Sequence, residues 1–195
     1  MLFLNNLIKP VEWTDTLRKC AEFGTKFVND QACYENSIKI KDSHTIIKRL
    51  VGSDIPLWIK DYFNFEIQVL QIFAIKPRSV GLIHKDGIDR RCAVNIPVKN
   101  CDQGFMQWFT PEEFSEFFIG NDYTTIRITN EEINKGAKID IPTLHSTLLT
   151  SPAIVNTDVW HRVDNRDSNN CRWVLSLRFK NNPSFEYLSN ELMLK

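Results

Sequence analysis

Apolar side chains recur at helical spacing near the start of the chain. Between Pro10 and Asn29 they fall at steps of three and four residues, which places them on one face of an amphipathic helix. A second helix is predicted from Asp42 or Ser43, both good N-caps, to Gly52, a typical C-terminal stop. A third, shorter helix is predicted over residues 57–63. Residues 1–65 therefore form a predicted helical support that needs a sheet to cover.

The pattern changes to short β-type runs after residue 64. The predicted strands cover residues 66–75, 79–84, 92–98, 104–109, 124–129, 137–141, 153–163 and 171–180. Turn-forming residues separate them, and one helix interrupts at residues 110–113, where Thr110 caps and Pro111 takes the first turn. Helices followed by many short strands argue against a parallel βαβ sheet. We therefore predict a mainly β jelly roll (a double-stranded β-helix or cupin-like barrel), with N-terminal helices packed on one sheet.

The last predicted strand alternates between an apolar and a mixed face. The apolar face comprises Trp173, Leu175, Leu177 and Phe179, and the other face comprises Arg172, Val174, Ser176 and Arg178. The apolar face is predicted to lie under the helices, so the second face would line the interior. Unpaired buried charge is very costly, and two arginines in an interior therefore need a reason to be there.

Length and composition indicate one ordinary globular domain. The chain has 195 residues, 43% hydrophobic and 25% charged, so we expect a single domain over residues 1–195. Its jelly-roll core would span residues 66–180, and residues 181–195 would form a C-terminal tail.

The charge balance indicates the class of binding partner, and the cysteines indicate the cellular compartment. Basic and acidic residues are equal at 24 each, so no overall basic field favours nucleic acid as a partner. No run approaches the roughly 20 apolar residues of a membrane span. Five cysteines without a Cys-x-x-Cys pair fit reduced thiols in a cytoplasmic protein.

The candidate chemistry lies in two histidines and one aspartate. His84 and Asp86 are separated by one residue, so in an extended chain their side chains point the same way. His161 follows far downstream, and Arg172 comes eleven residues later (172 − 161 = 11), at the start of a strand that would return from it as a hairpin. Two imidazoles and a carboxylate can hold divalent iron on one face and leave the opposite positions open.

Other interpretations of these histidines stay open. His145 and Asp89 are rival ligands, but no basic residue stands eleven positions after His145, and the spacing of Asp89 from His84 suits a strand end less well. Single histidines are also common as ordinary core or surface residues. The agreement of motif order, strand placement and the returning arginine favours the metal site.

These segments resemble the jelly-roll Fe(II)/2-oxoglutarate-dependent dioxygenases, whose motif is His-x-Asp with a distal His. The resemblance covers roughly residues 66–180 and is carried by Ile83-His84-Lys85-Asp86, by residues 92–98, and by His161 with residues 162–178. It is greatest to the aspartyl/asparaginyl β-hydroxylase type and related small oxygenases. Some of that type lack the metal-binding carboxylate, whereas Asp86 is present here, which also disfavours the halogenases of the family.

The resemblance implies a reaction and roles for further residues. It implies that 2-oxoglutarate chelates an Fe(II) held by His84, Asp86 and His161, and that O2 is consumed in hydroxylating a C–H bond, with release of succinate and CO2. Arg172 would pair with the far carboxylate of 2-oxoglutarate, and Arg178 is the alternative anchor. Ser176 would add a hydrogen bond.

Several points remain open at the level of the sequence. Asn95 either faces the co-substrate or is a satisfied buried amide. A cupin-like metal enzyme that does not use 2-oxoglutarate, and a metal-free jelly-roll binding module, are the competing functions. The substrate, a small molecule or a peptidyl side chain, and the oligomeric state are not indicated.

Overall fold

A computed structural model of the protein describes residues 4–6, 15–28, 44–51, 55–81, 83–86, 90–109, 118–119, 123–126 and 145–193. In this part of the chain, twelve strands form two six-stranded antiparallel sheets, and there are three α-helices. The prediction of a mainly β protein with an N-terminal helix is confirmed. None of the described helices is long and apolar enough to cross a membrane.

The first sheet holds six strands in the order β1-β10-β5-β12-β3-β2. Their bounds are β1 Leu4–Asn6, β2 His44–Val51, β3 Ile67–Ile75, β5 Cys92–Lys99, β10 Ala153–Asn156 and β12 Arg172–Phe179. The second sheet has the order β7-β8-β4-β11-β6-β9. Its bounds are β4 Ile83–Asp86, β6 Phe105–Trp108, β7 Phe118–Ile119, β8 Tyr123–Ile126, β9 His145–Leu148 and β11 His161–Asp164. The strands alternate between the two sheets from β3 to β6 and again from β9 to β12, and β6, β7, β8 and β9 all belong to the second sheet.

The three helices are α1 Asp15–Thr25, α2 Leu57–Phe63 and α3 Phe185–Met193. One apolar cluster joins buried residues of all three helices to one face of the first sheet. Helix α1 lies close to β5, because a Cβ built on Gly24 would be 2.7 Å from a methyl carbon of Val98. The alternation predicted for β12 explains this face, since Trp173 and Leu175 belong to the same cluster as Leu17 and Cys20.

Two predicted elements differ from the structure. The helix predicted over residues 42–52 is wrong, because His44–Val51 forms β2 and pairs with β3. The N-cap and glycine signals outweighed the β-branched residues Thr45, Ile46, Ile47 and Val51 in that prediction, although such residues favour strands. The single strand predicted over residues 153–163 is two strands, β10 and β11, in different sheets.

The remaining predicted elements either differ in extent from the structure or lie outside the described residues. The predicted C-terminal tail contains α3, which the sequence pattern did not indicate. The strand at residues 137–141 and the helix at residues 110–113 lie outside the described residues. Strand β8, Tyr123–Ile126, overlaps the strand predicted over residues 124–129, and residues 127–129 lie outside the described residues.

The cysteines are not all reduced thiols. Cys20, Cys92 and Cys101 are free and buried, and burial raises the pKa of Cys20 and Cys92 to about 12. Cys171, in contrast, takes part in a disulfide. The expectation of reduced thiols is therefore wrong for Cys171.

Candidate metal centre

His84, Asp86 and His161 converge at one place on the second sheet. One potential ligand atom from each of the three lies within 4.8 Å of the others. His84 and His161 are directly opposite each other on the antiparallel strands β4 and β11, and their ring centroids are 4.4 Å apart. Asp86 Oδ1 is 3.7 Å from His84 Nε2. Residues that are about 75 positions apart in sequence (161 − 86 = 75) thus form one cluster of donor atoms.

Backbone contacts hold the segment that enters β11. The Asp86 N–H donates to the Thr157 carbonyl at 3.0 Å, and the Thr157 hydroxyl donates to the Arg90 carbonyl at 2.6 Å. The buried Trp108 ring donates through Nε1 to the Asn156 carbonyl at 3.0 Å. These contacts tie Asp86 to the chain that leads into His161. Asn156 and Thr157 were not predicted from the sequence, because no motif distinguishes two polar residues at a strand end.

One contact orients the His161 ring. Its Nδ1 lies 2.8 Å from the Val159 carbonyl oxygen. A carbonyl oxygen can only accept a hydrogen bond, so this contact selects the tautomer with the proton on Nδ1. Nε2 then keeps its lone pair, and a metal-binding histidine commonly donates its other N–H in this way.

The donor set fits a divalent metal such as iron. Metal bonds of about 2.1 Å place neighbouring ligand atoms about 3 Å apart, so side chains whose ligand atoms lie within 4.8 Å of one another would move closer on binding a metal. Two imidazoles and one carboxylate with open positions is the donor set of non-haem Fe(II) oxygenases. All three side chains are buried or half-buried, and His161 is 4% exposed.

The two rival ligands are separate from this cluster or untested. His145 lies on β9, opposite Trp108, which in turn lies opposite His161. Its ring therefore packs against Trp108, with centroids 5.6 Å apart, and does not reach the His84 and His161 group. Asp89 is outside the described residues.

The predicted hairpin does not account for the position of Arg172. The β11–β12 hairpin is wrong, because the two strands belong to different sheets. A Cβ built on Gly104 would lie 2.6 Å from Arg172 Cδ and 2.8 Å from Asn165 Oδ1. Asn165 follows His161 by four residues (165 − 161 = 4), roughly 13 Å along an extended strand. The stem of Arg172 therefore passes Gly104 beyond the far end of β11, away from the histidines.

The Arg172 guanidinium is buried without a protein counter-ion in the described chain. The residue is 3% exposed, and its Nε and Nη2 have no hydrogen-bond partner among the described residues. Burial lowers the pKa of Arg172, and the Cys101 thiol opposes that shift. Unpartnered buried charge is strongly destabilising, so this side chain fits a site that receives an anion.

The remaining predicted residues line the same interior. Ser176 is opposite Asn95 on β5, and Arg178 is largely buried two residues further along β12. Asn95 Oδ1 has no partner in the described part of the chain, so Asn95 is not a satisfied buried amide. Gln71 on β3, which was not predicted from the sequence, is 1% exposed and lies opposite Ser176.

No protein-family model and no curated protein matches this sequence. Solved structures give weak likenesses. EvdMO1 is 12% identical with a TM-score of 0.46, and the match covers 93% of this chain but only 48% of EvdMO1. A Pseudomonas putida prolyl-4-hydroxylase is 12% identical with a TM-score of 0.45, over 91% of this chain and 90% of the hydroxylase.

HygX from Streptomyces hygroscopicus, solved with nickel and 2-oxoglutarate bound, is 10% identical with a TM-score of 0.44, over 87% of this chain and 79% of HygX. An L-ribose isomerase from Geodermatophilus obscurus is 12% identical with a TM-score of 0.41, over 85% of this chain and 82% of the isomerase. At these TM-scores the likenesses assign no function to this chain.

Proposed function

We propose that this protein is an Fe(II)- and 2-oxoglutarate-dependent oxygenase with a double-stranded β-helix fold. The convergence of His84, Asp86 and His161 carries the proposal, because donor atoms from two strands distant in sequence, β4 and β11, meet within 4.8 Å. The buried, unpartnered Arg172 guanidinium is a second, independent support. A plain β-sandwich needs neither feature.

Each residue has a role in this proposal. His84, Asp86 and His161 would hold the iron, and Arg172 would hold the far carboxylate of 2-oxoglutarate. Iron and 2-oxoglutarate together supply the oxidation of a C–H bond by O2, with release of succinate and CO2. The Val159 carbonyl keeps the Nδ1 proton on His161, and the Asp86 backbone is fixed by Thr157, so the ligand set is pre-oriented. Arg178 is the alternative anchor.

The narrower assignments belong to the same proposal. An aspartyl/asparaginyl hydroxylase-type reaction is the subtype we propose, on a small molecule or a peptidyl side chain. Nucleic acid and membranes are not proposed as partners, since the chain has no excess of basic residues.

One observation favours a second candidate, a cupin-like metal enzyme that does not use 2-oxoglutarate. The aliphatic part of the Arg172 side chain lies beside Gly104 and Asn165. His161 begins β11 and Asn165 follows its last residue, so Arg172 lies at the opposite end of this strand from His161. In that case the guanidinium would serve another anion, and iron binding would still depend on the histidines.

An anaerobic titration with Fe(II) and 2-oxoglutarate tests the proposal. We expect a visible charge-transfer band of a chelated iron–keto acid complex in the wild-type protein and its loss in His84→Ala. Iron binding without the band would favour the cupin-like enzyme. Failure to bind iron would make a metal-free binding module the better account.

The contact at Gly104 gives a second prediction. Because an added Cβ would overlap Arg172 Cδ and Asn165 Oδ1, Gly104→Ala should displace the guanidinium. We expect the Kd for 2-oxoglutarate to rise about tenfold, as for a lost charge-assisted hydrogen bond, with the iron affinity unchanged. Calorimetric titration of both ligands measures this. An unchanged Kd for 2-oxoglutarate would contradict the placement of the anion beside Arg172.

A further inference from the structure

Three uncharged polar side chains form a line across the first sheet, between the levels of Arg172 and Arg178. Ser176 on β12 lies directly opposite Gln71 on β3 and directly opposite Asn95 on β5. Directly opposite residues of antiparallel strands project to the same face of a sheet. Gln71, Ser176 and Asn95 are therefore neighbours on one face, and we call them the polar row.

The polar row faces the second sheet. The residues that flank its members along the strands belong to the helix-covered apolar cluster on the other face; they are Leu70, Ile72, Val94, Ile96, Leu175 and Leu177. Ala153 lies opposite Asn95, and Val155, two residues further on the same strand, packs against Trp108 of the second sheet. Trp108 is directly opposite His161. The polar row and the metal-binding histidines therefore line the same interior.

The side-chain oxygens of two members of the polar row lack protein partners in the described chain. Gln71 is 1% exposed and Ser176 is 3% exposed, whereas Asn95 is half-buried, so two of the three members are withdrawn from bulk solvent. Gln71 Oε1 and Asn95 Oδ1 have no hydrogen-bond partner within the described ranges. The large majority of buried polar side-chain atoms are hydrogen-bonded. Two such amides in one row indicate a ligand as their partner.

The hydrogen-bonding groups and charges on this face of the first sheet indicate the kind of ligand. Arg172 contributes unpartnered N–H donors, Ser176 contributes a hydroxyl, and each amide can turn either end toward the interior. The described inward positions of β3, β5 and β12 carry no carboxylate. A face that offers donors and positive charge is complementary to an anion rich in acceptor oxygens, such as a 2-oxo diacid.

We propose that Gln71 is a positioning residue for the co-substrate, with its amide N–H donating to an oxygen of bound 2-oxoglutarate beside Ser176 and Asn95. This inference rests on the proposed function. It adds a residue that no motif indicates, and it explains why a glutamine stands among the apolar residues of a buried strand.

The test is Gln71→Met, which removes the amide and keeps the length of the side chain. We expect the Kd for 2-oxoglutarate, from anaerobic calorimetry of the Fe(II)-loaded protein, to rise roughly threefold to tenfold, the value of one hydrogen bond. The Kd for Fe(II) should not change. The ligand-free protein should melt at the same temperature or about 2–4 °C higher, because an unpartnered buried amide has been removed.

Two further variants separate a ligand contact from a structural role. Gln68→Met is the matched control, since Gln68 is an exposed glutamine on the same strand, and it should change neither Kd nor melting temperature. Gln71→Glu keeps the shape but places a negative charge beside the anion. It should therefore weaken 2-oxoglutarate binding more than Gln71→Met does. A purely structural role predicts no such order.

The outcomes are distinguishable from a failure of the proposed function. If the wild-type protein binds 2-oxoglutarate and Gln71→Met changes its Kd by less than about twofold, the inference is overturned while the proposed function stands. If the wild-type protein does not bind 2-oxoglutarate, both are overturned. Should Gln71→Met fail to fold, Gln71→Glu carries the test, and a Kd for 2-oxoglutarate within about twofold of the wild-type value overturns the inference.

Discussion

His161→Ala is expected to abolish iron-dependent succinate formation and to leave the fold intact. His161 supplies one of three converging donors, and its ring is already oriented by the Val159 carbonyl. Loss of groups that merely orient a metal ligand costs about 10–100-fold in metal affinity, so loss of the ligand itself should cost more than about 100-fold. Iron titration, succinate detection and thermal melting of the variant measure the effect.

His145→Ala is the matched control for this prediction. His145 is a histidine on the same row of the second sheet, on the other side of Trp108 from His161. We expect its replacement to leave iron affinity unchanged. An active, iron-binding His161→Ala protein would remove His161 from the ligand set, and a loss confined to His145→Ala would transfer the role to His145.

Arg172→Met should separate the two ligands of the site. A bidentate guanidinium–carboxylate contact is worth about 1.5–3 kcal/mol, so the Kd for 2-oxoglutarate should rise about tenfold to a hundredfold. The Kd for Fe(II) should stay the same, because Arg172 lies beside Gly104 and not among the metal donors. The ligand-free protein should be as stable as the wild type or more stable, since an unpartnered buried charge has been replaced by an apolar chain of similar length.

Two other variants complete this experiment. Arg18→Met changes an exposed arginine of α1 and should alter neither affinity nor stability measurably. Arg178→Met examines the alternative anchor on the same face of β12. If Arg172→Met leaves the 2-oxoglutarate requirement unchanged and Arg178→Met raises it, Arg178 is the anchor and the role of Arg172 is structural.

Local periodicity predicted the elements whose two faces differ in polarity. Helix α1 and strand β12 show the apolar spacing of a helix and of a strand, and both bury the predicted side against each other. The same reasoning failed for His44–Val51, where capping residues suggest a helix but pairing with β3 makes a strand. Short segments have little intrinsic preference, so a neighbouring strand decides their conformation.

The candidate site likewise contains residues that could be paired from the sequence and residues that could not. His84 and Asp86 could be paired from the sequence, because two residues of one strand at this spacing share a face whatever surrounds them. The hairpin that was predicted to bring Arg172 back was wrong, because consecutive strands can enter different sheets and sequence distance does not indicate which. Gln71 is a polar residue in an apolar strand, and such an amide indicates a site only once its partners are known.

By itself, the sequence determined the identity of the donor groups and the faces of the elements that carry them, because both follow from side-chain chemistry and backbone period. Only the tertiary structure decided that His161 lies opposite His84, that Gly104 makes room for Arg172, and that Gln71, Ser176 and Asn95 share a row. These depend on strand register and sheet membership. Register and membership arise from burial and pairing across the whole chain, and no local spacing encodes them.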